Sequence, residues 1–181
     1  MRSLADTLVR LGTHARATQA AGPGSPLRPF HFDGSNPGGL SAHVHAPTDL
    51  PRGSGMVVAL HGCTQKAAVY DRGTGWSAMA DVHGFVVLLP EQRRANNPGL
   101  CFNWFSPEDA RRDVGEALSI AQMVQAAIRN FDLDPDRVFI TGLSAGGAMT
   151  SVMLATYPEL FAGGGVIAGL PFGVARTVSE A

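Results

Sequence analysis

The sequence has only two cysteines, Cys63 and Cys101, in 181 residues, which excludes a disulfide-rich scaffold and leaves room for one bridge. No apolar run approaches the roughly 18 residues needed to cross a bilayer, so no membrane span is expected. Residues 1–20 break their apolar positions with Asp6, Arg10, His14 and Arg16 and lack the apolar core of a secretory signal. Charge of either sign is not in excess. A formal net charge of −1 gives a polyanion-binding role no electrostatic support, and nucleic acid is not expected as a partner. Internal repeats and low-complexity tracts are missing too. His43 and His45 fall on one face of an expected strand, but no third ligand of matching spacing lies near them. Neither a metal nor a cofactor is expected.

What is present suits one domain with a sizeable core, with 22 glycines gathered at turns. Leu4, Leu8, Val9 and Leu11 have roughly helical spacing, so residues 3–17 are expected to form a short surface helix. Residues 21–39 are dense in Gly, Pro and Ser and read as a linker. The expected division is a tail and linker over 1–29 and the domain proper over 30–181. Strands are expected at 40–46, 56–60 and 85–89, the last stopping at Pro90. A helix over 76–82 ends at His83-Gly84, with Gly at the C′ position. Ser106-Pro107-Glu108-Asp109 has the chemistry of a helix start, Ser as N-cap with acids in the first turn. The stripe Val114, Leu118, Ala121, Val124 and Ile128 carries that helix to about Asn130. A strand over 164–168 follows a helix that Tyr157-Pro158 terminates. This alternation predicts an α/β fold, a mostly parallel sheet with helices on both faces, whose post-strand loops meet at the carboxyl edge.

The chain is organised around Val138 to Thr150. A β-branched run stops at Gly142, Ser144 sits between small residues, and a helix-compatible stretch rich in Ala and Met follows. This is the G-x-S-x-G nucleophile elbow, whose turn is too tight for bulky flanking residues. The Ala145 amide then points from a helix N-terminus towards a developing oxyanion. The long loop over 91–105 carries Phe102, Trp104 and Phe105, more aromatic surface than a connection requires.

With LHGCTQ at 60–65, GTGWSAMADVHGFVVLLPEQ at 73–92, RANNPGLCFNWF at 94–105 and the segment 142–173 located, the chain resembles the poly(3-hydroxybutyrate) depolymerase-like esterases. These are α/β-hydrolases related to feruloyl and acetylxylan esterases. The resemblance implies Ser144 as nucleophile, an oxyanion hole from the amides of Cys63 and Ala145, and His61 as the residue that shapes the HGC turn. It further implies Trp104 as a substrate-facing aromatic, whose alternative role is a loop anchor packed on the helix below. The implied substrates are poly(3-hydroxybutyrate)-type polyesters, their oligomers or related short-chain esters. An extracellular setting is usual for the family, with a cytoplasmic one as the alternative where no signal is visible. Cys63 and Cys101 lie in loops after neighbouring strands, so a disulfide between them is expected, two separate thiols being the alternative.

One departure matters. The α/β-hydrolase order is Ser, then Asp or Glu, then His, yet residues 145–181 contain no His and no Asp. All six histidines precede Ser144. The expectation is therefore a domain truncated at its C-terminus and an inactive fragment. Alternatives are a feruloyl or acetylxylan esterase or serine peptidase, and a non-catalytic relic that binds a ligand or partner.

Overall fold

The computed structural model describes residues 24–177 and residue 180; the helix expected over 3–17 lies outside them. Among the described residues six strands form one sheet. They are β1 (Arg28–Pro29), β2 (Ser41–His45), β3 (Met56–Leu60), β4 (Val86–Glu91), β5 (Val138–Leu143) and β6 (Gly163–Ile167), in the order β1-β2-β4-β3-β5-β6. β1 and β2 join antiparallel, whereas β4, β3, β5 and β6 run parallel. The stretch read as linker thus supplies an edge strand, extended by Phe30 N–H donating to Ala42 O.

Strand alternation sorts the core into two layers. Val58, Leu60, Val86 and Leu88 point to one face and pack with α3 (Gly115–Phe131) and α4 (Ala145–Thr156). Their neighbours Ala59, Val87 and Leu89 point to the other and pack with α1 (Ala67–Thr74) and α2 (Trp76–His83). These parallel strands are buried on both faces, which is why they read as continuous apolar runs. The chain leaves β3 for β4 across one face and reaches β5 across the other. The crevice where its direction reverses lies at the carboxyl ends of β3 and β5, and ligands bind such sheets there.

Two boundaries differ from expectation. β4 does not stop at Pro90 but runs to Glu91. Its pairing with β3 has ended at Leu88, so a residue without an N–H is tolerated beyond that point while β2 continues alongside. The helix expected from Ser106 is replaced by a single turn, closed by Ala110 N–H donating to Ser106 O. Asp113 and Gly115 then adopt left-handed backbone, and α3 begins only at Gly115, with Val114 exposed rather than on the buried stripe. Gly115 is seated against the earlier turn, where a Cβ would meet Glu108 O at 2.2 Å.

Candidate active site

β5 ends at Leu143, and α4 starts at Ala145, leaving Ser144 alone to make the turn. It does so at φ 57°, ψ −119°, a conformation that non-glycine residues rarely adopt. The turn closes because Gly142 and Gly146, two residues to either side, have no side chains to collide. A Cβ on Gly142 would lie 2.3 Å from Gly146 O, and one on Gly146 would lie 2.3 Å from Leu60 O. Ser144 N–H donates to Ile167 O at 2.9 Å, anchoring the turn to β6. The result is a hydroxyl presented at the sheet edge on an exposed residue.

Across the crevice, β3 runs into His61-Gly62-Cys63. His61 is fully buried and both ring nitrogens are engaged. Nε2 accepts from Gln92 N–H at 3.1 Å, which leaves Nδ1 to donate to Gly62 O at 2.8 Å. These partners assign a neutral tautomer, and burial lowers the proton affinity of the ring. His61 therefore shapes the turn and is unavailable as a base for Ser144. Gly62 N–H donates to the Gln65 side chain at 2.8 Å, and Thr64 N–H donates to Gly99 O at 2.7 Å. Between those two, the Cys63 amide has no acceptor among the described residues. The Ala145 amide, first in its helix, has none either.

Cys63 and Cys101 are joined in a disulfide that ties the turn after β3 to the loop after β4. Trp104 and Phe105 follow in that loop, edge to face, with ring centroids 5.7 Å apart. A groove of about 390 Å³ opens beside Ser144, walled by Cys63, Cys101, Trp104, Phe105, Ala148 and Leu170. A second cavity of about 410 Å³ shares Trp104 and Phe105 and continues to Pro107, Ala110, Phe172 and Ala175. Trp104 is only 8% exposed, so the ring both anchors its loop in the core and forms the groove wall. A larger cavity of about 490 Å³ lies at the β1–β2 edge beside His31, His43 and Glu91. It contains neither Ser144 nor the two unengaged amides. His45 in that region pairs with Asp81 at 2.7 Å, towards α2.

The family profile described as Esterase PHB depolymerase matches residues 42–181. The chain belongs to that family. Among its curated relatives, poly(3-hydroxyalkanoate) depolymerase C of Paucimonas lemoignei is 51% identical over 148 residues, which cover 82% of this chain and 36% of the relative. Acetylxylan esterase A of Aspergillus oryzae is 38% identical over 141 residues, 77% of this chain and 45% of that protein. The chain thus spans less than half the length of these family members. The solved acetyl xylan esterase from Aspergillus awamori superposes with a TM-score of 0.77 at 32% identity, covering 86% of this chain and 56% of the other. The fold is that of the α/β-hydrolases.

Ser144, Cys63, Ala145 and Trp104 all line one groove. Buried polar residues beneath it were not anticipated. Glu116 is fully buried and Gln92 is 1% exposed, and they are hydrogen-bonded to each other at 2.5 Å. In the helix expected from Ser106 to about Asn130, Glu116 lies off the apolar stripe, where an acid is ordinarily solvated. Only the contact of α3 with the aromatic loop, a long-range feature, reveals its burial.

Proposed function

We propose that the parent protein is a serine carboxylic-ester hydrolase working through an acyl-enzyme on poly(3-hydroxybutyrate)-type polyesters, their oligomers or related short-chain esters. The observation that carries this is the convergence of an exposed Ser144 hydroxyl and two unengaged amides, Cys63 and Ala145, on one apolar groove. Ser144 Oγ attacks the ester carbonyl carbon and gives its proton to an imidazole base. The two amides donate to the oxyanion as it forms. The C–O bond to the alcohol then breaks, the protonated base supplies the alcohol's proton, and water, deprotonated by the same base, releases the acid and restores Ser144. No histidine among the described residues hydrogen-bonds to Ser144, so this reading requires an imidazole from outside them.

The substrate class follows from the walls. Trp104, Phe105, Ala148 and Leu170 offer apolar contact suited to an acyl chain, and the adjoining cavity gives the next repeat of a polyester a place to lie. The depolymerase relative supports this preference and the acetylxylan esterases support the alternative. A disulfide also fits an oxidising compartment, which favours an extracellular enzyme.

The test is an assay of the complete open reading frame product and its Ser144→Ala variant on p-nitrophenyl butyrate, 3-hydroxybutyrate oligomers and acetylated xylan. We expect turnover of the first two, reduced at least about 1,000-fold by the substitution. Undiminished turnover in Ser144→Ala would refute the nucleophile, and a marked preference for acetylated xylan would favour the acetylxylan-type reading.

A further inference from the structure

Glu116 is a carboxyl group buried without a cation. Among the described residues no lysine or arginine forms an ion pair with it, so a purely architectural role would be served better by an apolar side chain. Its two oxygens do separate work. Oε1 accepts from Gln92 Nε2 at 2.5 Å, and Oε2 accepts from Asn103 N–H at 2.9 Å. Gln92 is just as fully used. Its Nε2 also donates to Cys101 O at 3.0 Å, its Oε1 accepts from Arg93 N–H and Asn96 Nδ2, and its own N–H donates to His61 Nε2.

These bonds reach both sides of the groove. Cys101 O and Asn103 N–H bracket Phe102 immediately before Trp104, while His61 holds the root of the turn that presents Cys63. A strap from the opposite side closes the arrangement. Gly38 lies against Glu116 so tightly that a Cβ would be 2.6 Å from its Cα, and Gly38 N–H donates to Ser119 Oγ.

We propose that Glu116 and Gln92 are a positioning pair that fixes the Trp104 wall of the groove and the Cys63 amide in register with each other. The proposal rests on reading the Ser144 site as an acyl-transfer centre, because only there does that register matter. The ionised carboxylate accepts both bonds. Adding a proton turns one oxygen into a hydroxyl and weakens one of them. Burial pushes the Glu116 carboxyl up to about 8, so the exchange falls in an accessible range. The titratable groups near it are Asp109, whose Oδ1 accepts from Glu116 N–H at 3.2 Å and whose like charge adds to the rise, and His61, reached through Gln92 and kept neutral by burial.

The experiment uses the 181-residue chain, with the Cys63 backbone amide and the Trp104 indole N–H followed by heteronuclear NMR from pH 6.5 to 9.5. Both signals are expected to shift with one common midpoint near 8, and the shift should shrink at least about fivefold in Glu116→Gln. Stability supplies a second measurement. A carboxyl raised from 4.5 to about 8 in the folded state adds stability below its ordinary value that is lost as pH rises to the folded one. Wild-type stability should therefore fall between about pH 4.5 and 8 more steeply than that of Glu116→Gln. Should the variant not fold, the wild-type titration decides alone. Independent midpoints for the two signals, or no response of either across the range, would overturn the proposal. None of these readouts requires turnover, so they stand apart from the Ser144→Ala assay.

Discussion

Gly146 illustrates how much of the site depends on atoms that are missing. A Cβ at this position would lie 2.3 Å from Leu60 O and 2.5 Å from His61 O, both backbone atoms that cannot swing away. Gly146→Ala must therefore separate α4 from β3 at the point where the Ala145 amide and the Cys63 turn face each other. We expect it to destabilise the fold by about 2 kcal/mol or more, measured by urea unfolding. Gly73, in α1 with nothing within 4 Å of an added Cβ, is the matched control. Gly73→Ala should stabilise by about 0.5–1 kcal/mol through helix propensity alone. The two glycines look alike in the sequence, but the G-x-S-x-G spacing marks Gly146 as constrained. Local spacing made Ser144 and its neighbours legible. It could not do so for Glu116, whose role depends on Gln92 and Asn103, distant in the chain.

At the scale of elements, β3 and β4 were legible because burial on both faces leaves a run with no alternation; β5 and β6 also fall close to where they were expected, although β6 is largely exposed. The segment after Ser106 was not legible. Its capping chemistry is good enough for a helix, and one turn does form there. The continuation is lost because Asp109 turns inward to accept from Glu116 N–H, and the chain must pass through left-handed Asp113 and Gly115 to bring Glu116 under the aromatic loop. Tertiary contact overrode local preference. That loop is held from above by the Cys63–Cys101 bridge, which closes a separation of 38 residues. The chain-entropy model assigns such a crosslink about 4 kcal/mol. Cys101→Ser should lower stability by about 2–4 kcal/mol in a urea titration under non-reducing conditions, and should raise amide exchange first in residues 97–105. Equal exchange rates in that loop with and without the bridge would show that the buried Glu116 contacts hold it unaided.

Across the described residues the sheet ends in a short strand on one side and in the unpaired edge of β6 on the other. β1 is two residues long, a short edge that resists further pairing. β6 pairs only with β5 among the described strands. Val166 and Ile167 are 44% and 52% exposed, with Leu170, Phe172 and Val174 also exposed nearby. A parallel edge flanked by that much apolar surface invites pairing with another chain. A polypeptide of residues 1–181 in isolation is therefore expected to self-associate in sedimentation velocity, and Ile167→Lys should reduce the effect by placing a charge on the edge. The same polypeptide should hydrolyse p-nitrophenyl butyrate poorly, because no histidine among the described residues hydrogen-bonds to Ser144, and without a base only what binding and the Cys63 and Ala145 amides can provide remains. His61 is locked between Gly62 O and Gln92 N–H, and His45 pairs with Asp81, so neither is free to receive the Ser144 proton. Robust Ser144-dependent turnover by residues 1–181 would mean that another upstream histidine reaches the serine. A monodisperse monomer at high concentration would instead show that the β6 edge is covered.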